Sequence, residues 1–213
     1  MRINGGIFYN ENGLTTSIRA MHLDSELIGI SNENIGGFDK VGYQRKEAVV
    51  SSFAEFLGVH ALSTTKDDKV GRIAVSDNPL DIALANKGYF QTESENGIKL
   101  TRDGRFKIGK DGSLLTLEDA HVLSSAGTPI QLPFVPQDLK QIKIDKSGKI
   151  SLFNPDTNKL MNVGQIGVVD TNGILVMDPN VKQGYNEFSN VSLQQEFITM
   201  MPIMKNFDAN RQM

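Results

Sequence analysis

The residues best spaced for chemistry lie in Asn154-Pro155-Asp156-Thr157-Asn158, where side-chain oxygens recur at alternate positions. Such alternation opens an EF-hand calcium loop, which continues with a glycine for the sharp turn and closes on a bidentate glutamate. Here Lys159 stands where the glycine belongs and Gln165 where the glutamate belongs, so the stretch reads as a polar turn and no metal site is assigned. Histidine occurs only at His22, His60 and His121, and cysteine is absent. That removes disulfides, thiolate metal sites and cysteine nucleophiles, and leaves too few clustered donors for zinc. His121 is close in sequence to Ser124 and Ser125. No Gly-x-Ser-x-Gly elbow presents a nucleophile, however, and neither common glycine-rich phosphate loop occurs. The expectation is a protein that is not an enzyme and uses no cofactor.

Composition narrows the partners. Formal net charge is −3, without the basic footprint of a nucleic-acid binder. No stretch approaches the eighteen or so apolar residues of a membrane span, so no membrane insertion is expected. Met1-Arg2-Ile3-Asn4-Gly5-Gly6 lacks the apolar run of a cleavable signal peptide. Hydrophobic content of 39% and charged content of 22% leave room for polar, partner-dependent segments in a chain of 213 residues.

The elements follow from periodicity. Over residues 12–35, Leu14, Ile18, Met21, Ser25, Ile28, Asn32 and Ile35 alternate spacings of four and three, a heptad seam with two polar positions on one helix. Gly36 and Gly37 then stop it. Residues 192–212 read as a second helix, opened by the capping-box pattern Ser192-x-x-Gln195. Leu193, Phe197, Met200, Met204 and Phe207 carry its seam, and Pro202 inside it predicts a kink. Between the helices, turn pairs at Asn96-Gly97, Asp103-Gly104, Asp111-Gly112, Ser147-Gly148 and Asn172-Gly173 separate short apolar runs. That rhythm predicts a compact, mostly antiparallel β-domain, with Asn96-Gly97 as the turn of a hairpin. The fold class is therefore mainly β with helical termini. Four parts are expected: an N-terminal helical segment at 1–56, a linker at 57–74, a central β-domain at 75–180 and a C-terminal helical segment at 181–213.

Several segments, in order, resemble the bacterial flagellar rod and hook family. Asn34-Ile35-Gly36-Gly37-Phe38-Asp39-Lys40-Val41-Gly42-Tyr43-Gln44-Arg45 is similar to the family's helix-ending Asn-Asn-Leu-Ala-Asn and the Thr-x-Gly-Phe/Tyr-Lys-Arg that follows, with departures at Glu33, Gly37 and Lys40. Asn78-Pro79-Leu80-Asp81-Ile82-Ala83-Leu84 through Gly88-Tyr89-Phe90 resembles its Pro-Leu-Asp-Val-Ala-Ile-x-x-x-Gly-Phe-Phe. Leu100-Thr101-Arg102-Asp103-Gly104-Arg105-Phe106 and Asp111-Gly112-Ser113-Leu114-Leu115-Thr116 match the Thr-Arg-Asp-Gly-x-Phe and Asp-Gly-x-Leu-Val-Thr that come next. Gly184-Tyr185-Asn186-Glu187-Phe188-Ser189-Asn190-Val191 and Lys205-Asn206-Phe207-Asp208-Ala209-Asn210 are similar to the family's C-terminal Gly-x-x-Glu-x-Ser-Asn-Val and Arg-x-Tyr/Phe-Glu-Ala-Asn.

The resemblance implies a structural subunit of the flagellar basal-body rod. Its terminal helices would pair in an inner tube, its β-domain would sit outside them, and the assembly would transmit torque. The implied partners are the chain itself, other flagellar axial proteins and the flagellar export apparatus, which passes family members unfolded and without a cleaved signal. The candidate subunit-interface residues are Leu14, Ile18, Met21, Ile28, Asn34, Ile35, Gly42 and Tyr43 near the start. Near the end they are Ser189, Asn190, Val191, Leu193, Phe197, Met200, Met204 and Phe207. Two alternatives remain at this point: a hook subunit of the same family, and a β-rich adhesin or carbohydrate-binding module whose helices merely cap it.

Overall fold

A computed structural model describes residues 13–50, 62–155 and 157–212. The chain divides into two compact units. One comprises Met1–Gly36, Lys46–Thr65 and Ser192–Met213, the other Gly37–Arg45 and Lys66–Val191.

The first unit is built on two helices, α1 (Gly13–Gly36) and α2 (Leu193–Arg211), which pack against each other. Both occupy the spans that the heptad spacing predicts. Ser192 caps α2, its Oγ accepting from the Gln195 amide at 3.4 Å, and Glu196 places a negative charge in the first turn, where the helix dipole favours it. The helix runs on past Pro202, which removes one donor from the ladder. The pair is antiparallel: Asn34 reaches Glu196 at one end, and Asn210 reaches Asp24 toward the other. Two strands, β1 (Lys46–Val50) and β2 (Leu62–Lys66), form a separate ribbon. The segment expected as a linker, 57–74, therefore carries a strand, while 57–61 lie outside the described residues.

The second unit is the β-domain, and every named strand pair in it is antiparallel. Its main sheet centres on β5 (Tyr89–Ser94), which pairs with β6 (Gly97–Thr101) on one edge. The other edge takes β9 (His121–Val122) and β13 (Val168–Val169). Beyond β9 come β8 (Leu114–Thr116) and β7 (Phe106–Ile108). A three-stranded sheet of β10 (Ile142–Ile144), β11 (Lys149–Asn154) and β12 (Lys159–Gln165) packs beside it. The core gathers Leu80, Ile82, Leu84, Phe90, Phe106, Leu114, Ile150 and Leu152 with their neighbours, and Phe90 meets Phe106 edge to face at 5.2 Å.

The β-domain reaches beyond the predicted 75–180 at both ends. The returning strands β14 (Val181–Gln183) and β15 (Tyr185–Glu187) pair with β4 (Ile82–Leu84) and β3 (Ile73–Val75). The physical reason is hydrogen-bond demand: in the fully buried β4 the Ile82 amide donates to the Gly104 carbonyl and the Leu84 carbonyl accepts from Arg102, and β14 pairs with the rest of the strand's backbone. The hairpin turn also differs by one residue. Ser94 pairs with Gly97, so Glu95 and Asn96 form the turn, and Gly97 rather than Asn96 takes the positive φ, +97°. A turn followed by a left-handed glycine supplies the strand twist that Asn96-Gly97 was expected to supply as the turn itself.

Candidate functional site

The candidate interface residues separate into an outward group and an inward group. On α1 the fully buried side chains are Ser17, Asp24, Ser31 and Asn34, spaced seven, seven and three apart. On α2 the fully buried one is Glu196. The most deeply buried positions of the pair are therefore polar and lie one residue around from the predicted seams, interleaved with half-buried Ala20 and Leu27 on α1 and Ile203 on α2. Leu14 stays 60% exposed, Ile18 52%, Phe197 50% and Met204 48%. Met21, Ile28, Ile35, Leu193, Met200 and Phe207 are half-buried. Ile198 and Met201 join Phe197 and Met204 in an open apolar stripe along α2. Sequence reasoning missed those two because a strict four–three seam selects a narrower face than the helix presents.

Asn34, by contrast, faces inward. Its Oδ1 accepts from the Lys46 amide at 2.8 Å, and its Nδ2 donates to the Lys46 carbonyl at 2.9 Å and to Glu196 Oε2 at 3.3 Å. One amide side chain thus ties the end of α1 to the first residue of β1 and the first turn of α2.

The loop residues also face inward, within the β-domain. Asn190 Oδ1 accepts from the Arg45 amide at 2.7 Å, and its Nδ2 donates to the carbonyls of Asp67 and Lys69, both at 3.0 Å. Ser189 Oγ accepts from the Val191 amide at 3.1 Å, and its own amide donates to the Lys40 carbonyl at 3.0 Å. Gly42 donates to the Glu187 carbonyl at 2.8 Å at a φ of +71°. A Cβ there would stand 2.3 Å from the Asp103 amide nitrogen, so only glycine fits. Tyr43 is half-buried with its ring over Gly37. The Asn34, Gly42–Tyr43 and Ser189–Val191 motifs thus brace each unit from within.

Beneath these loops lies an ion pair that the spacing gave no cause to single out. Arg102 and Glu187 have side chains 1% and 4% exposed. The Arg102 guanidinium donates Nη2 to Glu187 Oε2 at 2.6 Å and Nε to both carboxylate oxygens at 2.8 and 2.9 Å. Its remaining donors satisfy the carbonyls of Leu84, Asn86 and Gly88. Glu187 Oε1 also accepts from the Gly71 amide at 2.9 Å. A buried pair is tolerated only when its lone pairs and protons are satisfied in this way. The available signal was that Arg102 and Glu187 both stand within the resembling motifs.

Smaller carboxylate caps hold the turns. Asp145 accepts from the amides of Ser147 and Lys149, both at 2.9 Å, and from the Ser147 hydroxyl, which together hold its carboxyl below the ordinary range. Asp111 is lowered chiefly by the Ser113 hydroxyl. No group of three or more His, Asp or Glu side chains is arranged to hold a metal among the described residues, and Asp156 of the rejected calcium reading lies outside them. His22 pairs with Glu26 on α1 at 3.4 Å, Ser124 Oγ is engaged with Thr128 Oγ1 at 2.9 Å, and His60 lies outside the described residues. No described helix is long and apolar enough to cross a membrane.

Comparison with known proteins agrees with this architecture. Residues 83–152 match the family described as the flagellar hook protein FlgE/F/G D1 domain. The flagellar basal-body rod protein FlgF of Rhizobium meliloti (strain 1021) is 31% identical over 206 residues, covering 84% of this chain and 80% of that protein. FlgF of Mesorhizobium japonicum is 26% identical over 204 residues, covering 87% and 83%. FlgG of Bacillus subtilis (strain 168), also a basal-body rod protein, is 28% identical over 179 residues, covering 71% of this chain but only 63% of its own length. With its motif order, its paired terminal helices and a relative of this similarity over most of both lengths, the chain belongs to the flagellar rod and hook protein family.

Proposed function

We propose that this chain, a structural protein of the flagellar basal-body rod, joins the axial shaft by burying the open apolar stripes of its helical unit against neighbouring subunits. One observation carries the reading: Phe197, Ile198, Met201 and Met204 stay about half exposed on α2, as do Leu14 and Ile18 on α1, while the positions that the helix pair buries most deeply are polar. An apolar stripe of this kind marks an interaction surface. Repeated by a rotation that does not close, such contacts build a helical shaft. The partners are further copies of the chain and other axial proteins, and the route is passage of the unfolded chain through the flagellar export apparatus. The relatives are structural rod proteins, and this role asks for no cofactor.

The test is Phe197→Ser combined with Met201→Ser. Burying the exposed half of each side chain is worth about 1 kcal/mol, so assembly measured by sedimentation, and motility in the bacterium, should fail together. Melting of the β-domain should stay within about 1 °C of the parent, since those side chains belong to the helical unit. Equal loss of assembly and of β-domain melting would refute the reading and make α2 part of the monomer's core.

A further inference from the structure

The helical stripes leave two features of the β-domain unused. The first is the loop after Asp170. Asp170 Oδ1 accepts from the amides of Asn172 and Ile174, both at 2.8 Å, and the Gly173 amide closes the turn on the Asp170 carbonyl at 3.1 Å. Further on, the Val176 amide bonds the Val168 carbonyl at 2.9 Å, and Asn86 Nδ2 bonds the Asp178 carbonyl at 3.0 Å. The loop is thus held at both ends, yet it presents Ile174 at 65% exposure, Leu175 at 44% and Met177 at 85%. An apolar tip already fixed in shape loses little freedom on docking. Asp170 and Asp178 flank it, and the backbone donors to Asp170 hold that carboxyl below the ordinary range, so it is anionic at neutral pH.

The second feature is an open cleft of about 540 Å³ against the three-stranded sheet. Phe153 and Leu160 supply its apolar surface, and Leu160 is 59% exposed. Lys140 and Lys143 stand exposed beside them. Among the described residues the one carboxylate lining the cleft is Asp138, which accepts from the Lys140 amide at 2.9 Å, and the two lysines outnumber it.

We propose that the Ile174–Met177 loop of one copy seats in the Phe153–Leu160 cleft of a second copy of this chain, with Asp170 and Asp178 against Lys140 and Lys143. The occupant follows from charge. Two acidic loops repel each other, as do two basic clefts, so neither surface suits itself and each suits the other. A contact between two different surfaces of the same chain is heterologous and leaves a free loop at one end and a free cleft at the other. It therefore adds a β-domain contact to the helical assembly, and it rests on the reading that copies of this chain assemble.

The absence of cysteine makes the test clean. Full-length Met177→Cys and Leu160→Cys chains are mixed under mild oxidation at a concentration where the parent sediments as oligomers. Any disulfide joining the two variants is intermolecular. The pair should cross-link on the order of tenfold faster than a Met177→Cys and Val75→Cys pair, because docking raises the local thiol concentration. Val75 is equally open, at 75% exposure, but lies outside both surfaces. Adding Lys140→Glu and Lys143→Glu to the Leu160→Cys chain should abolish the excess, and Asp178→Lys on the Met177→Cys chain should recover part of it. Unchanged melting of each variant shows that the fold is intact. If oligomers form and an Ile18→Cys and Phe197→Cys mixture cross-links while the Met177–Leu160 pair stays at the control rate, the loop-and-cleft contact is overturned and helical assembly stands. If the parent chain stays monomeric at every concentration, both fall.

Discussion

Replacing Glu187 with alanine strands the Arg102 guanidinium where 1% of its side chain meets solvent. The substitution removes the Nη2 bond at 2.6 Å and the two Nε bonds at 2.8 and 2.9 Å, and it takes the acceptor from the Gly71 amide. The carbonyls of Leu84, Asn86 and Gly88 still hold the arginine in place, so it cannot swing into water without leaving the buried Leu84 and Gly88 acceptors unmet. Breaking one side of a buried pair costs about 3–5 kcal/mol, most of it the penalty for the uncompensated charge. In a domain of this size that lowers the melting midpoint by roughly 10–20 °C. Urea unfolding at neutral pH, followed by near-ultraviolet tyrosine dichroism, is the assay. Tyr43, Tyr89 and Tyr185 all lie in the β-domain, so in a Tyr9→Phe background the signal reports that unit. The midpoint should fall without a change in the denaturant slope. Arg102→Met in the same background should recover part of the loss, because removing both charges is far less costly than isolating one. A loss below about 1 kcal/mol for Glu187→Ala would show that the guanidinium is hydrated, and the clamp reasoning would be refuted.

Asn34→Ala removes both ties to the Lys46 backbone and should destabilise the helical unit by about 1–3 kcal/mol. Hydrogen exchange at the Lys46 amide checks it, and unchanged protection would count against the tie. Gly42→Ala forces a side chain into a φ of +71° and onto the Asp103 backbone, so the β-domain should lose at least about 1–3 kcal/mol in thermal melting. Acid provides a fourth check. Asp111, Asp145 and Asp170 have lowered carboxyl pKa values, so their stabilisation is complete above the unfolded carboxylate pKa of about 3.9 and is lost as pH falls through the lower folded values. Melting should be flat from neutral pH to about 5 and decline below about 4, whereas a decline that begins between 7 and 5 would contradict the sign.

Local order alone marked both helices, the turns around Gly104, Gly112, Gly148 and Gly173, and the family motifs. The reason is that period, caps and turn chemistry act over a few residues. Periodicity also found apolar positions such as Ile18, Phe197 and Met204, but it could not say what covers them. The positions the helix pair buries most deeply are instead Ser17, Asp24, Ser31, Asn34 and Glu196, which periodicity passed over because a polar residue on a helix reads the same whether it faces water or a partner. The extension of the β-domain to Glu187 was likewise out of reach. Strand β14 had to return to β4 and Glu187 to Arg102, 85 residues earlier, and such pairings are settled by chain topology and by the demand of buried backbone and charge for partners. Asn190 shows the division most clearly. Its motif pointed to family membership, but only the tertiary structure decided that its amide would bind Arg45, Asp67 and Lys69 within its own chain, since three backbone groups distant in sequence converge there.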